Sequence, residues 1–121
     1  MRSKEKSNVE SIKSLVESCP VIFVCVPTPM FSNGKCDLSV VEEVVAEINE
    51  HGKNNIAVIK STVPPGTTQN LNRKFHNISV VFNPEFLTEA NFIEDFKSQE
   101  RIIVGGERPE STVVYNVFRK V

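Results

Sequence analysis

A chain of 121 residues, 40% of them hydrophobic, with a formal charge of −1 has the composition of one small soluble globular domain. Its 14 basic residues are scattered, so no basic stripe is present to neutralise a nucleic-acid backbone, and no apolar run approaches the roughly 20 residues that cross a bilayer. The N-terminus lacks the apolar core of a signal peptide, so a cytoplasmic location is expected, with neither nucleic acid nor membrane as a partner.

Residues 1–6 are charged and expected to fray. Ser7-Asn8-Val9-Glu10 has the Ser-x-x-Glu form of a capping box, and Val9, Ile12, Leu15 and Val16 recur at helical spacing, which predicts a helix closed by Pro20. The unbroken apolar run at residues 21–26 suits a parallel strand covered on both faces. It stops at Pro27-Thr28-Pro29, where no ladder can continue. Asn33-Gly34 marks a turn. Asp37 is then expected to cap a helix with Leu38, Val41, Val45 and Ile48 as its apolar stripe, Glu42-Glu43 on its solvated face and Gly52 at its end.

Ile56-Ala57-Val58-Ile59 reads as the next strand, and it runs into Lys60-Ser61-Thr62-Val63-Pro64-Pro65-Gly66-Thr67-Thr68. There a buried-strand pattern gives way to hydroxyls, two prolines that fix the path and a glycine that admits close backbone approach near a helix start. A short helix with Leu71 and Phe75 four apart follows, then a strand at 78–82 that ends in Asn83-Pro84-Glu85-Phe86-Leu87-Thr88-Glu89. Beyond it come a helical piece through Phe92, Ile93 and Phe96, a fourth strand at 101–104, Gly105-Gly106, and a last helix with Pro109 in its first turn and Val114, Val117, Phe118 and Val121 on one face. Alternation of this kind predicts one α/β domain over residues 1–121, with a mainly parallel sheet of about four strands and flanking helices.

Cys19, Cys25 and Cys36 are odd in number and in no metal-ligand spacing, so they read as reduced structural or surface residues. His51 and His76 lie near element ends with no partner ligand in sequence, and no metal site is expected. Polar strand ends can be no more than loops facing water. Three in succession, with hydroxyls held between prolines and with two carboxylates four residues apart, instead point to a site along one sheet edge, where open α/β sheets bind ligands.

The segments Cys25-Val26-Pro27-Thr28-Pro29, Lys60-Ser61-Thr62-Val63-Pro64-Pro65-Gly66-Thr67 and Asn83-Pro84-Glu85-Phe86-Leu87-Thr88-Glu89, in this order, resemble the UDP-glucose/GDP-mannose dehydrogenase family. Asn91-Phe92-Ile93-Glu94-Asp95-Phe96 and Arg101-Ile102-Ile103-Val104-Gly105-Gly106 extend the resemblance over nearly the whole chain. Such enzymes oxidise the C6 alcohol of a nucleotide sugar to a carboxylate with NAD⁺, through a cysteine-bound thioester. The resemblance implies that Val26, Pro27, Thr28 and Pro29, and then Ser61, Thr62 and Val63, lie along NAD. It implies that Thr62 also positions the attacking water, that Glu85 is the acid/base, that Glu85, Phe86, Leu87, Thr88 and Glu89 contact the sugar, and that Glu89 approaches the nicotinamide. Partial burial would raise a glutamate's pKa toward the range useful for a base, provided that a helical turn after Leu87 presents both carboxylates to one pocket.

The same resemblance implies an incomplete Rossmann-like fold. None of the five glycines has the G-x-G-x-x-G spacing that cradles a pyrophosphate, and the motif carrying the family's nucleophilic cysteine is absent. Ala90 stands where the family usually has glycine. The chain therefore reads as the C-terminal half of the family's NAD-binding domain, a fragment inactive alone and weak or lacking in NAD binding. The alternative is a non-enzymatic interaction or regulatory module, which pairs with a full-length dehydrogenase or with itself. A flavodoxin-like binder fits the element order but has no phosphate loop. Without a neighbour, the strand at 21–26 becomes an apolar edge, so a homo-oligomer through that edge is expected unless the N-terminal segment covers it.

Overall fold

The computed structural model describes residues 8–120. Three short apolar runs form its centre: β1 (Val21–Val24), β2 (Asn55–Ile59) and β3 (Ile78–Phe82) pair in parallel in the order β1-β2-β3. The register sets Val24 beside Ile59 and Ile59 beside Phe82, so the three carboxyl ends finish level. β2 is buried at every position, as a central strand covered on both faces must be.

Side chains alternate between the two faces of the sheet, and each face has its own helices. Ile22, Val24, Ala57, Ile59, Ile78 and Val80 pack under α1 (Ile12–Ser18), α2 (Ser39–His51) and α3 (Thr67–Lys74), through Ile12, Val16, Val41, Val45, Ile48 and Leu71. On the opposite face Ile56, Val58 and Val81 meet Val114 of α5 (Glu110–Arg119), with Val21 and Phe118 at the margin. The crossover helices α2 and α3 therefore share one face, as consecutive parallel strands laid down in one direction require. The remaining helix, α4 (Phe92–Lys97), buries none of its residues.

Asparagine side chains tie these parts together. Asn55, at the start of β2, donates from Nδ2 to the Val16 and Cys19 carbonyls at 2.9 and 2.8 Å, and its Oδ1 accepts from Lys53 N–H at 2.8 Å. It thereby satisfies the last turn of α1, whose carbonyls have no intrahelical donor. Asn72 of α3 donates to the Val80 carbonyl at 2.9 Å and accepts from the Val80 N–H at 2.7 Å, and so occupies the outer edge of β3 as a neighbouring strand would.

Four expectations need correction. The first helix starts at Ile12, not near Val9, because Ser11 and Ser14 form the reciprocal cap; the Ser7 box lies outside the described residues. Asp37 sits one residue before the α2 cap at Leu38, from where it accepts the Ser39 N–H at 3.0 Å. β1 ends at Val24, two residues early, because Val26 pairs with a side chain. The fourth strand does not form: Gly105 exchanges two 2.7 Å hydrogen bonds with Phe82, antiparallel, and pairing stops there. In one direction the next groups belong to Val80, already taken by Asn72, and in the other stands Pro84, which has no N–H to give. Val121, placed by the sequence on the α5 face, lies outside the described residues.

Replacing Asn55 with alanine orphans buried carbonyls on α1 and is expected to cost about 1–3 kcal/mol, read from urea unfolding. An unchanged midpoint would show that water takes over those bonds.

Candidate functional site

Where parallel strands end, the backbone loses its neighbours and side chains must replace them. Ser61 does this for β1. Its Oγ accepts the Val26 N–H at 2.9 Å and donates to the Val26 carbonyl at 2.6 Å, so one buried hydroxyl continues the ladder beyond Lys60 N–H and the Val24 carbonyl. Two residues on, Thr28 Oγ1 donates to the Thr62 carbonyl at 2.7 Å. Val26, Pro27, Thr28 and Pro29 are thus fastened along Ser61, Thr62 and Val63. Val63 turns toward the helical core, Thr62 is exposed, and the prolines on either side of Thr28 face outward.

The next strand end is joined by Asn83, which is 3% exposed. Its N–H donates to the Ile59 carbonyl at 3.0 Å, its Oδ1 accepts from Lys60 Nζ at 3.0 Å, and its Nδ2 donates to the Ile103 carbonyl at 2.7 Å. Lys60 also stands over the Phe118 ring, 6.0 Å from its centroid, and so ties the edge to α5. Gly66 adopts φ +89° at the N-cap of α3. A Cβ there would meet nothing nearer than 3.9 Å within the protein, so the left-handed backbone by itself calls for glycine. Thr67 Oγ1 closes the turn by donating to the Pro64 carbonyl at 2.7 Å.

The segment after Asn83 is irregular through Thr88 and turns at 89–91 before α4, so no helix follows Leu87 directly. Glu85, Phe86, Thr88 and Glu89 are exposed, and Leu87 is half-buried. The burial expected to tune Glu85 is therefore absent among the described residues, because no described element packs over it. Its carboxylate still acts on a neighbour. Partial burial pushes the Cys25 thiol above its usual range, the Lys60 ammonium pulls against that rise, and the Glu85 carboxylate adds to it. A thiol so placed stays protonated at neutral pH and is a poor nucleophile. Glu89 is exposed and makes no hydrogen bond within the described residues.

Thr88 is held by Asp95 of α4. One oxygen, Oδ2, accepts from Thr88 N–H at 3.0 Å and from Thr88 Oγ1 at 2.5 Å, and these two donors hold the Asp95 carboxyl below the usual carboxylate range. No three His, Cys, Asp or Glu side chains converge as metal ligands among the described residues. One cleft, about 970 Å³, runs along the outer side of β3 past Asn72, Arg73 and Gly105; Pro65, Gly66 and Thr68 of the expected binding turn line it, whereas residues 26–29, 61–63 and 85–89 do not. Lys60, Asn83 and Asp95 carry the edge geometry but were assigned no role from sequence. Their positions at the strand ends and on α4 were visible, whereas their partners lie 23, 20 and 7 residues away.

No helix of the described residues is long and apolar enough to cross a membrane. A family profile described as the NAD-binding domain of the UDP-glucose/GDP-mannose dehydrogenase family matches residues 1–121. UDP-glucose 6-dehydrogenase of Rickettsia bellii is 38% identical over 111 residues, which cover 88% of this chain and 25% of that protein. Among solved structures, a ternary complex of GDP-mannose dehydrogenase from Pseudomonas aeruginosa superposes with a TM-score of 0.80 at 28% identity, over 91% of this chain and 29% of its own. UDP-glucose dehydrogenase of Pyrobaculum islandicum gives 0.81 at 31% identity, over 93% and 29%. The chain thus spans less than a third of the length of each.

Two outcomes are expected from the edge. Ser61→Ala, which orphans both Val26 groups, should lower stability by about 1–3 kcal/mol and speed exchange of the Val26 amide; a slow Val26 amide in that variant would dismiss the clasp. Since Asp95 is lowered on folding, its contribution is present above the unfolded carboxylate pKa near 3.9 and lost as pH falls through the lower folded value. The Thr88 amide should therefore stay protected at pH 5–7 and open only in stronger acid, a dependence that Asp95→Asn removes.

Proposed function

The chain belongs to the UDP-glucose/GDP-mannose dehydrogenase family, and from that premise we propose that it is part of an NAD-dependent, cytoplasmic dehydrogenase that oxidises the C6 alcohol of UDP-glucose or a related UDP-sugar to the carboxylate. The supporting observation is the level edge at Val24, Ile59 and Phe82, from which the three segments that carry the family resemblance leave the sheet side by side. The edge fits part of a dinucleotide: Pro27, Pro29 and Thr62 form an exposed shelf whose backbone is already satisfied by Ser61 and Thr28. NAD⁺, when bound, supplies the hydride acceptor.

In this reading Val26, Pro27, Thr28 and Pro29 with Ser61, Thr62 and Val63 bed the cofactor, and Glu89 closes on its nicotinamide end. Thr62 Oγ1, which makes no hydrogen bond among the described residues, orients the hydrolytic water. Glu85, open to solvent, moves the proton, and Phe86, Leu87 and Thr88 meet the sugar. Glu85 is exposed in this chain, so substrate and further protein would have to cover it. The 121 residues hold no glycine-rich pyrophosphate cradle, so alone they bind NAD weakly and do not turn over.

A second reading has its own support. β1 is an edge strand of the sheet, and an open apolar edge fits an interaction module that pairs with a full-length dehydrogenase or with its own copies.

NAD⁺ titrated into the isotope-labelled chain should shift the amides of residues 26–29 and 61–63, and UDP-glucose those of 85–89, with no NADH formed when both are present. Shifts confined to other regions, or none, would overturn the site assignment. Measurable oxidation of UDP-glucose would overturn the statement that the chain is inactive alone.

A further inference from the structure

Between the shelf and α2 the chain makes a small hairpin that lies outside the residues assigned to cofactor and sugar. Asp37 N–H donates to the Pro29 carbonyl at 2.7 Å, Met30 and Cys36 pair antiparallel, and Phe31 N–H donates to the Lys35 carbonyl at 2.8 Å. The tip is closed by Gly34, whose N–H returns to the Phe31 carbonyl at 2.9 Å and whose φ is +84°. That conformation calls for glycine, so the turn itself sets an unhindered backbone nitrogen directly after Asn33. A Cβ on Gly34 would meet nothing within 4 Å, and residues 30–35 are all exposed, so no described residue shields the pair. No other asparagine of the chain is followed by glycine, alanine or serine. The Asn33 carboxamide is also held in place. Its Oδ1 accepts the Lys35 N–H at 3.0 Å, which folds the side chain back over the Gly34 peptide and puts a donor on the oxygen where negative charge collects when Cγ is attacked.

We propose that Asn33 is a site of spontaneous intramolecular modification, at which the folded chain converts to isoaspartate and aspartate. The Gly34 nitrogen loses its proton to solvent and attacks Asn33 Cγ. The new N–Cγ bond closes a cyclic imide, the Cγ–Nδ2 bond breaks, and ammonia leaves with the proton returned from solvent. Water then opens the imide at either carbonyl: at Cγ it gives aspartate, and at the backbone carbonyl it leaves the main chain running through Cγ, as isoaspartate. The step that waits on the fold is release of the Gly34 N–H from the Phe31 carbonyl, and a single bond in an exposed turn opens at little cost. Isoaspartate lengthens the main chain between Phe31 and Lys35 by one carbon and adds a carboxylate at the tip. Both bonds of Phe31 lose their register, whereas the Asp37–Pro29 bond beneath them is kept, so the change stops short of the shelf and of the α2 cap.

The test is to hold the full chain folded in mildly alkaline buffer and map it over time by digestion and mass spectrometry, with isoaspartate scored by enzymatic methyl transfer to its carboxylate. A peptide of residues 30–36 in the same buffer gives the rate without the fold. Asn33 is expected to convert before any other asparagine, with isoaspartate among the products and more slowly in mildly acidic buffer, where the Gly34 nitrogen keeps its proton. Its rate should be no less than about a tenth of the peptide's, the equivalent of about 1.4 kcal/mol for opening the turn. In the isoaspartyl form the Phe31 amide should exchange faster while the Asp37 amide stays slow. Asn33→Ser should abolish the conversion, and Asn33→Asp, which adds the charge without the extra carbon, should leave the Phe31 amide slow. An Asn33 that stays intact after the peptide has converted, or another asparagine that converts first, would overturn the proposal. An isoaspartyl chain whose Phe31 amide exchanges as before would overturn the loss of register.

Discussion

The clasp between Ser61 and Val26 is the constraint on which the rest of this edge depends. β1 and β2 separate at Lys60, and beyond it the two chains must part toward different helices while their last polar groups still need partners. One hydroxyl meets both needs at 2.6 and 2.9 Å, and it holds Pro27 and Thr28 over Thr62 without a further turn of strand. An alanine cannot do this, and a threonine would bring a methyl group into a buried position. The shelf is therefore rigid where it meets the sheet and free where it faces outward, the combination a binding surface needs.

The same logic recurs with amides. Asn55 serves carbonyls that α1 cannot satisfy, Asn72 stands in for a strand beside β3, and Asn83 bridges Lys60 to the Ile103 carbonyl. A carboxamide offers a donor and an acceptor on one planar group, so it can reproduce the two-bond pattern of a neighbouring backbone residue. A sheet of three strands with two edges is small for the helices it carries. These side chains supply the lateral contacts that further strands would otherwise give.

Much of this arrangement was legible in the amino-acid order. The apolar runs at 21–26, 56–59 and 78–82 read as strands of a parallel sheet, and their polar ends do gather at one edge, although of the three only β2 is buried at every position and Phe23 of β1 is exposed on one face. Most of what failed depends on distant partners. Arg101-Ile102-Ile103-Val104 has the composition of a strand, yet the edge it needed was already occupied by Asn72, 29 positions before Arg101. Glu85 lies in the segment that carries the family resemblance, but its exposure reflects what packs nearby, and no local pattern encodes that. The start of α1 was misjudged because a Ser-Ser cap has no acidic signature, whereas the earlier Ser-x-x-Glu does.

Stitching by asparagine also ties the fold's lifetime to the chemistry of one functional group. Loss of ammonia from an asparagine leaves a carboxylate, which can only accept. At Asn72 that would set an anion against the Val80 carbonyl, and at Asn55 against two carbonyls at once. Slow hydrolysis would thus act as a clock on the sheet edge and on the seat of α1, with no change in sequence length or shape to announce it. The neighbours work against that clock: Ile56 and Arg73 follow Asn55 and Asn72 and hinder by bulk the backbone attack that releases ammonia, and Pro84 after Asn83 has no N–H to make it. Asn33, followed by glycine in an exposed turn, lacks this shelter, so chemical ageing should begin where the fold has least to lose.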